Sequence, residues 1–167
     1  MLCIVSMPSL KGLLGFTLIE LMVTLAILAI LLTVGIPSYR QLVETNAISA
    51  SGNDLYASLQ LARSEAISRE EAVRVTPTGG DWTTGWNVVV VASSKILDQY
   101  LLGANGVTIT PLGALSSNDV TYSATGRSTT AYNAAQDYFD VVSDAARRCV
   151  VMSTTGRPFV TKEDECP

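Results

Sequence analysis

The chain has 167 residues, with 11 basic and 15 acidic side chains, so that 16% of positions are charged against 48% hydrophobic. That charge fraction is low for a soluble domain, where about a quarter is usual, and with a mean hydropathy of +0.33 it fits one domain plus one apolar anchor. The sequence has no histidine, which removes Ser-His-Asp and Cys-His nucleophilic sites, imidazole metal ligation and imidazole acid–base catalysis. No enzyme, cofactor or metal site is expected. The net charge of -4 also works against holding nucleic acid by bulk phosphate neutralisation.

From Gly12 to Tyr39 the only charged side chain is Glu20, and Leu21 to Tyr39 is an uncharged run of 19 residues. A helix of about 20 such residues spans a bilayer core. Lys11 precedes the run, so the positive-inside bias places the bulk of the chain on the outer side of the membrane. A cleavable secretory signal is disfavoured, because TVGIPSY offers no convincing small-x-small site and a carboxylate sits inside the apolar stretch. A lipoprotein signal fails because Cys3 precedes the run instead of following it.

Glu20 separates a plain signal anchor from something more specific. An ionised carboxylate in hydrocarbon costs at least about 2.5 kcal/mol and calls for a cationic partner. A cut between Gly15 and Phe16 would create an amino group that supplies this charge, reinforced by the helix dipole. The run Gly15-Phe16-Thr17-Leu18-Ile19-Glu20, followed by an apolar stretch carrying Pro37, resembles the prepilin signature of type IV pilins and type II secretion pseudopilins. The resemblance implies that residues 1–15 are a leader removed on the cytoplasmic side by a membrane prepilin peptidase. That enzyme then N-methylates Phe16, and Glu20 is the assembly residue. Translation starts at Met1 or Met7, and Cys3 is absent from the mature chain in either case.

Residues 16–40 are expected to be the transmembrane and assembly helix, and 41–74 its amphipathic continuation. Ile48, Leu55, Leu59, Ala62 and Ala66 mark one helix face. Glu65 with Arg69 and Glu70 with Arg74 are spaced as i,i+4 ion pairs on the solvated side. One helix from Phe16 to about Val73 follows, with Gly35 to Pro37 a point of kinking or local melting. Ala47, Ala50, Ala57, Ala62 and Ala66 offer small side chains for a sheet to pack on. The segment Leu59-Gln60-Leu61-Ala62-Arg63-Ser64-Glu65-Ala66 is similar to the corresponding helix of the GspH/FimT class of minor pilins and pseudopilins.

Residues 75–167 read as a β-rich periplasmic domain. Candidate strands are Trp86 to Ala92, Gly106 to Thr110, Val120 to Ala124, Tyr138 to Ser143, Arg148 to Ser153 and Phe159 to Thr161. Turns fall at Asn105-Gly106, Thr125-Gly126 and Thr155-Gly156. The expected fold is α+β, a pilin-like lollipop in which a long N-terminal helix packs against an antiparallel β-sheet. Trp82 and Trp86 are read as core residues. Cys149 and Cys166 are the cysteines left after leader removal and are expected to pair in an oxidising compartment. Closing that loop removes about 3 kcal/mol of unfolded-state entropy.

Gly126-Arg127 and Gly156-Arg157 carry the sharper question. Some pilins of the resembled class bind DNA through a Gly-Arg-x-Arg stretch, but here the sequence is Gly156-Arg157-Pro158-Phe159 and the second arginine is missing. Arg147, Arg148 and Arg157, with Arg127, would offer phosphate contacts if the last strands brought them together. From Val75 onward, however, the chain has 6 basic and 9 acidic residues, and Lys162-Glu163-Asp164-Glu165 repels phosphate. Asp137, Asp140 and Asp144 lack calcium-loop spacing and are read as solvated carboxylates. The expected function is a minor pilin or pseudopilin in the inner membrane, then in a type IV pilus or type II secretion pseudopilus at or near its tip. Its partners are other pilins and the prepilin peptidase. DNA capture during transformation is the alternative.

Overall fold

The structure is a computed structural model and describes residues 15–103, 106–117, 119–162 and 166–167. The leader residues 1–14 with Cys3 and Lys11, Asn105 of the expected Asn105-Gly106 turn, and the acidic residues 163–165 lie outside the described residues. The chain divides into two compact units, one ending at Tyr39 and the other formed by Arg40–Pro167.

The helix α1 (Leu18–Arg69) is the one helix among the described residues long and apolar enough to cross a membrane. In the first unit its described apolar side chains between Leu18 and Ile36 are exposed. Its hydroxyls are satisfied internally: Thr24 Oγ1 donates to the Leu21 carbonyl at 2.8 Å and Thr33 Oγ1 to the Ile30 carbonyl at 2.7 Å. Such bonding is what an apolar surrounding demands of polar groups. The helix runs unbroken through Gly35 and Pro37, so no melting occurs there. Proline withdraws one backbone donor, and the rest of the ladder carries the helix past it.

In the second unit the later turns of α1 bury Ile48, Leu55, Leu59, Ala62 and Ala66 completely. Each of the three larger side chains contributes about 1.5–3 kcal/mol by leaving water. Ser51 and Ser58 lie on the same face, and the Ser51 hydroxyl donates back to the Ala47 carbonyl. Ala50 and Ala57, expected under the sheet, are exposed instead. Glu65 and Arg69 form the anticipated ion pair at 2.6 Å.

The helix stops at Arg69, four residues before the expected end, and Glu70 adopts a left-handed φ of 56°. Strand β1 (Val73–Pro77) follows with a strict buried–half-buried alternation. Placing Val73, Val75 and Pro77 in the core outweighs extending the helix, and Arg74 consequently pairs with Asp119 at 3.2 Å, not with Glu70. The remaining strands are β2 (Gly85–Val90), β3 (Ile96–Leu101), β4 (Thr108–Pro111), β5 (Val120–Tyr122), β6 (Tyr138–Val142), β7 (Arg147–Met152) and β8 (Pro158–Lys162). They form two antiparallel four-stranded sheets, ordered β3-β2-β1-β5 and β4-β6-β7-β8. All six anticipated windows contain a strand, whereas β1 and β3 were not anticipated.

Aromatic contacts lie both between and within the sheets. Trp82, on the turn before β2, meets Phe139 of β6 edge-on at 4.7 Å between ring centroids. Trp86 of β2 stacks on Tyr100 of β3 at 4.5 Å. Both tryptophans are buried, as read from the sequence. The Tyr100 hydroxyl donates to the Asp54 carboxylate of α1, and burial together with that bond pushes its pKa up to about 12. The disulfide Cys149–Cys166 ties the C-terminal residues to β7.

Candidate functional site

Two regions hold the residues singled out by the sequence. At the N-terminal one, Gly15, Phe16 and Thr17 are non-helical and α1 opens at Leu18. Thr17 is the N-cap. Its Oγ1 accepts the Glu20 backbone N–H at 3.3 Å, and its carbonyl accepts the Leu21 N–H at 3.2 Å. The first bond satisfies a donor that the opening turn would otherwise leave open, and the second is the first i→i-4 bond of the helix. The helix thus begins two residues after the Phe16 expected from the sequence, and the Thr-x-x-Glu spacing of a capping box is the local signal that could have shown it. Phe16 is 85% exposed. No described residue bonds the Glu20 carboxylate, which stands in the helix's first turn among exposed apolar side chains.

The second region is where the arginines lie. Strand β7 runs from Arg147 to Met152 and the chain reverses only afterwards, so Arg147 and Arg148 stand at one end and Arg157 beyond the other. Six residues in a strand separate those ends by roughly 17 Å. The three arginines considered together in the sequence therefore do not converge. Arg147 is moreover occupied: Nε and one terminal nitrogen donate to the two Asp140 oxygens at 2.7 and 2.9 Å. This bidentate bond raises the guanidinium pKa further. Arg148 is half-buried, opposite Val141 and Lys162 in the ladder.

Arg157 instead neighbours Arg127 through a repeated turn. Ser123-Ala124-Thr125-Gly126-Arg127 and Ser153-Thr154-Thr155-Gly156-Arg157 share a five-residue pattern and nearly the same hydrogen bonds. In each, the serine N–H donates to the arginine carbonyl, at 2.8 and 3.0 Å, and the glycine N–H donates to the serine carbonyl at 2.8 Å. In each, the serine and threonine hydroxyls lie 3.0 Å apart. Gly126 and Gly156 have left-handed φ values of 72° and 77°, which favour glycine.

The two turns touch. A Cβ on Gly156 would lie 2.6 Å from the Ser128 Cβ and 2.9 Å from its backbone nitrogen, and Tyr122 Oη donates to the Gly156 carbonyl at 3.0 Å. Burial raises the Tyr122 pKa, Tyr132 adds to the rise, and the positive charge of Arg63 opposes it. A Cβ on Gly126 would meet Ile67 of α1 at 2.5 Å and Arg63 Cγ at 3.6 Å. Arg127 and Arg157, both exposed, thus stand on touching turns, and half-buried Arg63 lies beside the first of them.

The three aspartates have separate roles. Asp137 is buried and accepts the Ala114 and Asn133 backbone N–H groups at 2.7 and 2.5 Å; it is a loop anchor, not the solvated carboxylate expected. Asp140 holds Arg147, and Asp144 is exposed. Among the described residues no group of three or more His, Cys, Asp or Glu is placed to hold a metal ion.

Comparison with known proteins follows this division of the chain. Residues 14–36 match a model described as the prokaryotic N-terminal methylation motif. Residues 51–156 match the family model described as type II transport protein GspH. No curated protein matches the sequence. Among solved structures, the type IV minor pilin FimU of Pseudomonas aeruginosa strain PAO1 shares the fold. In one crystal form it aligns with a TM-score of 0.62 at 23% identity, over 74% of this chain and 95% of that one. In a second the values are 0.59 and 22%, over 71% and 96%. A long apolar N-terminal helix that opens within a methylation motif and two antiparallel sheets in the pilin arrangement agree with the family match, and the chain belongs to the GspH family of minor pilins and pseudopilins.

Proposed function

We propose that the protein is a processed minor pilin or pseudopilin, anchored in the inner membrane and then built into a type IV pilus or type II secretion pseudopilus at or near its tip. On this reading the prepilin peptidase cuts between Gly15 and Phe16 and methylates the new amino group of Phe16. The periplasmic part begins near Arg40. Glu20 pairs with the Phe16 amine of a neighbouring subunit, and the apolar helices bundle. The observation that carries it is the Glu20 carboxylate, placed one helical turn beyond Phe16 in an otherwise apolar segment and without an internal partner among the described residues. A carboxylate so placed requires a cation from outside its own helix.

The test is Glu20→Ala. It removes a charge from lipid, so membrane insertion persists while incorporation into the filament falls. Wild-type incorporation by this variant would remove Glu20 from assembly. Mass spectrometry of the envelope-extracted protein is expected to find N-methylated Phe16 at the mature terminus.

DNA capture is the second reading, supported by exposed Arg127 and Arg157 on touching turns, with Arg63 beside the first. Three phosphate contacts give a salt slope of about -2.7, hence binding roughly 40-fold weaker at 200 than at 50 mM salt. A gel-shift titration of a fragment beginning at Arg40 measures this. The Arg127→Ala, Arg157→Ala double variant keeps only the Arg63 contact, so the slope falls to about -0.9 if the turns carry binding. Binding that survives the double variant would assign it elsewhere.

A further inference from the structure

Thr17 does more than begin a helix, because the bond proposed for cleavage lies one residue before it. With the cap in place, the Glu20 N–H is taken by Thr17 Oγ1 at 3.3 Å, and Gly15 through Thr17 remain outside the helix. Without the hydroxyl the Glu20 N–H loses its acceptor. The surrounding side chains, Leu18, Ile19 and Leu21, are apolar, and an unpaired donor in apolar surroundings is costly. The chain's own remedy is to wind further by the i→i-4 rule. Glu20 N–H then bonds the Phe16 carbonyl, and Ile19 N–H bonds the Gly15 carbonyl. That second acceptor is the carbonyl of the Gly15–Phe16 peptide itself.

We propose that Thr17 is the positioning residue of the processing site: by capping α1 at Leu18 it keeps the Gly15–Phe16 peptide in open backbone with its carbonyl unclaimed by the helix. The inference rests on the cleavage reading given above. A protease must bring its nucleophile to the scissile carbonyl, and a carbonyl locked in a helical ladder has first to be released. Gly15 works in the same direction, since glycine disfavours helix. Thr17 adds the stop signal on the other side of the bond. Thr17 does not itself take part in the hydrolysis.

The experiment uses the full chain in membrane vesicles with the prepilin peptidase, and mass spectrometry reads both the site and the rate of cleavage. Thr17→Val keeps the side-chain shape and removes the acceptor oxygen, Thr17→Ser keeps the hydroxyl, and Thr17→Asn caps without one. Thr17→Val is expected to lower kcat/KM about fivefold, the equilibrium factor of one N-cap, with cleavage at the same bond. Ser and Asn are expected to stay within about twofold of wild type, since both rank at or above threonine as caps. An unchanged rate for Val overturns the proposal, and so does a Val-like loss for Asn, because a hydroxyl read directly by the peptidase would not be replaced by an amide. Wild-type chain left uncut between Gly15 and Phe16 would instead defeat the processing reading itself.

Discussion

Gly156→Ala tests whether the two arginine turns form one packed unit. Two costs add at this position. Alanine at φ 77° enters the left-handed region, worth about 1–2 kcal/mol. Its Cβ also meets the Ser128 Cβ at 2.6 Å and the Ser128 backbone nitrogen at 2.9 Å; the latter cannot rotate away, and overpacking of this kind costs about 1–3 kcal/mol. The sum is about 2–5 kcal/mol. Gly79→Ala is the matched control, with a φ of 64° and nothing within 4 Å of an added Cβ, so it pays only the backbone cost of about 1–2 kcal/mol. Urea denaturation of the oxidised fragment beginning at Arg40 compares the two, and equal m-values confirm that only stability has changed. Equal midpoints for Gly156→Ala and Gly79→Ala would mean that the second turn does not press on Ser128. The shared arginine surface would then lose its structural basis.

Reduction of Cys149–Cys166 in the same fragment is expected to lower stability by about 3 kcal/mol, the loop-closure value for a separation of 17 residues; an unchanged melting temperature in reductant would count against a structural role. Tyr100 provides a pH test. Its folded pKa of about 12 exceeds the ordinary 10.0, so between those values the folded state retains a proton that the unfolded state has lost. Its contribution is therefore full below pH 10 and fades as pH rises towards 12. Tyr100→Phe is expected to flatten that part of the pH–stability curve, and identical curves would indicate that the Tyr100 hydroxyl is neither buried nor bonded to Asp54 in solution.

The helical face was legible because Ile48, Leu55, Leu59, Ala62 and Ala66 repeat at helical spacing, and all are buried. The helix end was not. Glu70-Glu71-Ala72 has good helix propensity, and Glu70 to Arg74 has favourable ion-pair spacing. What overrides both is long-range: Val73 and Val75 pair with Val90 and Val88 on one side and with Tyr122 and Val120 on the other. No local window contains those partners. Strand β3 was hidden for a different reason. It is an edge strand whose Ile96 and Leu101 are exposed, with only Leu97 and Tyr100 half-buried, so the alternation that announces a strand is weak.

At the candidate sites, legibility divides along the same line between local and long-range order. Glu20 could be read because its cost arises from its immediate neighbours in sequence, a charge within an apolar run. Thr17 belonged to the same six residues, and its Thr-x-x-Glu spacing was equally local. Arg147 and Arg148 drew attention as adjacent cations, but a strand has length, and β7 carries them away from the turn that presents Arg157. The companion of Arg157 lies thirty positions earlier in the same Ser-x-Thr-Gly-Arg turn. A second arginine within one stretch fixes spacing along the backbone, whereas two copied turns fix it across a packing contact through Gly156, Ser128 and Tyr122. The missing arginine after Gly156-Arg157 therefore does not by itself remove a two-cation surface; it transfers the geometric requirement to the contact that Gly156→Ala would disturb.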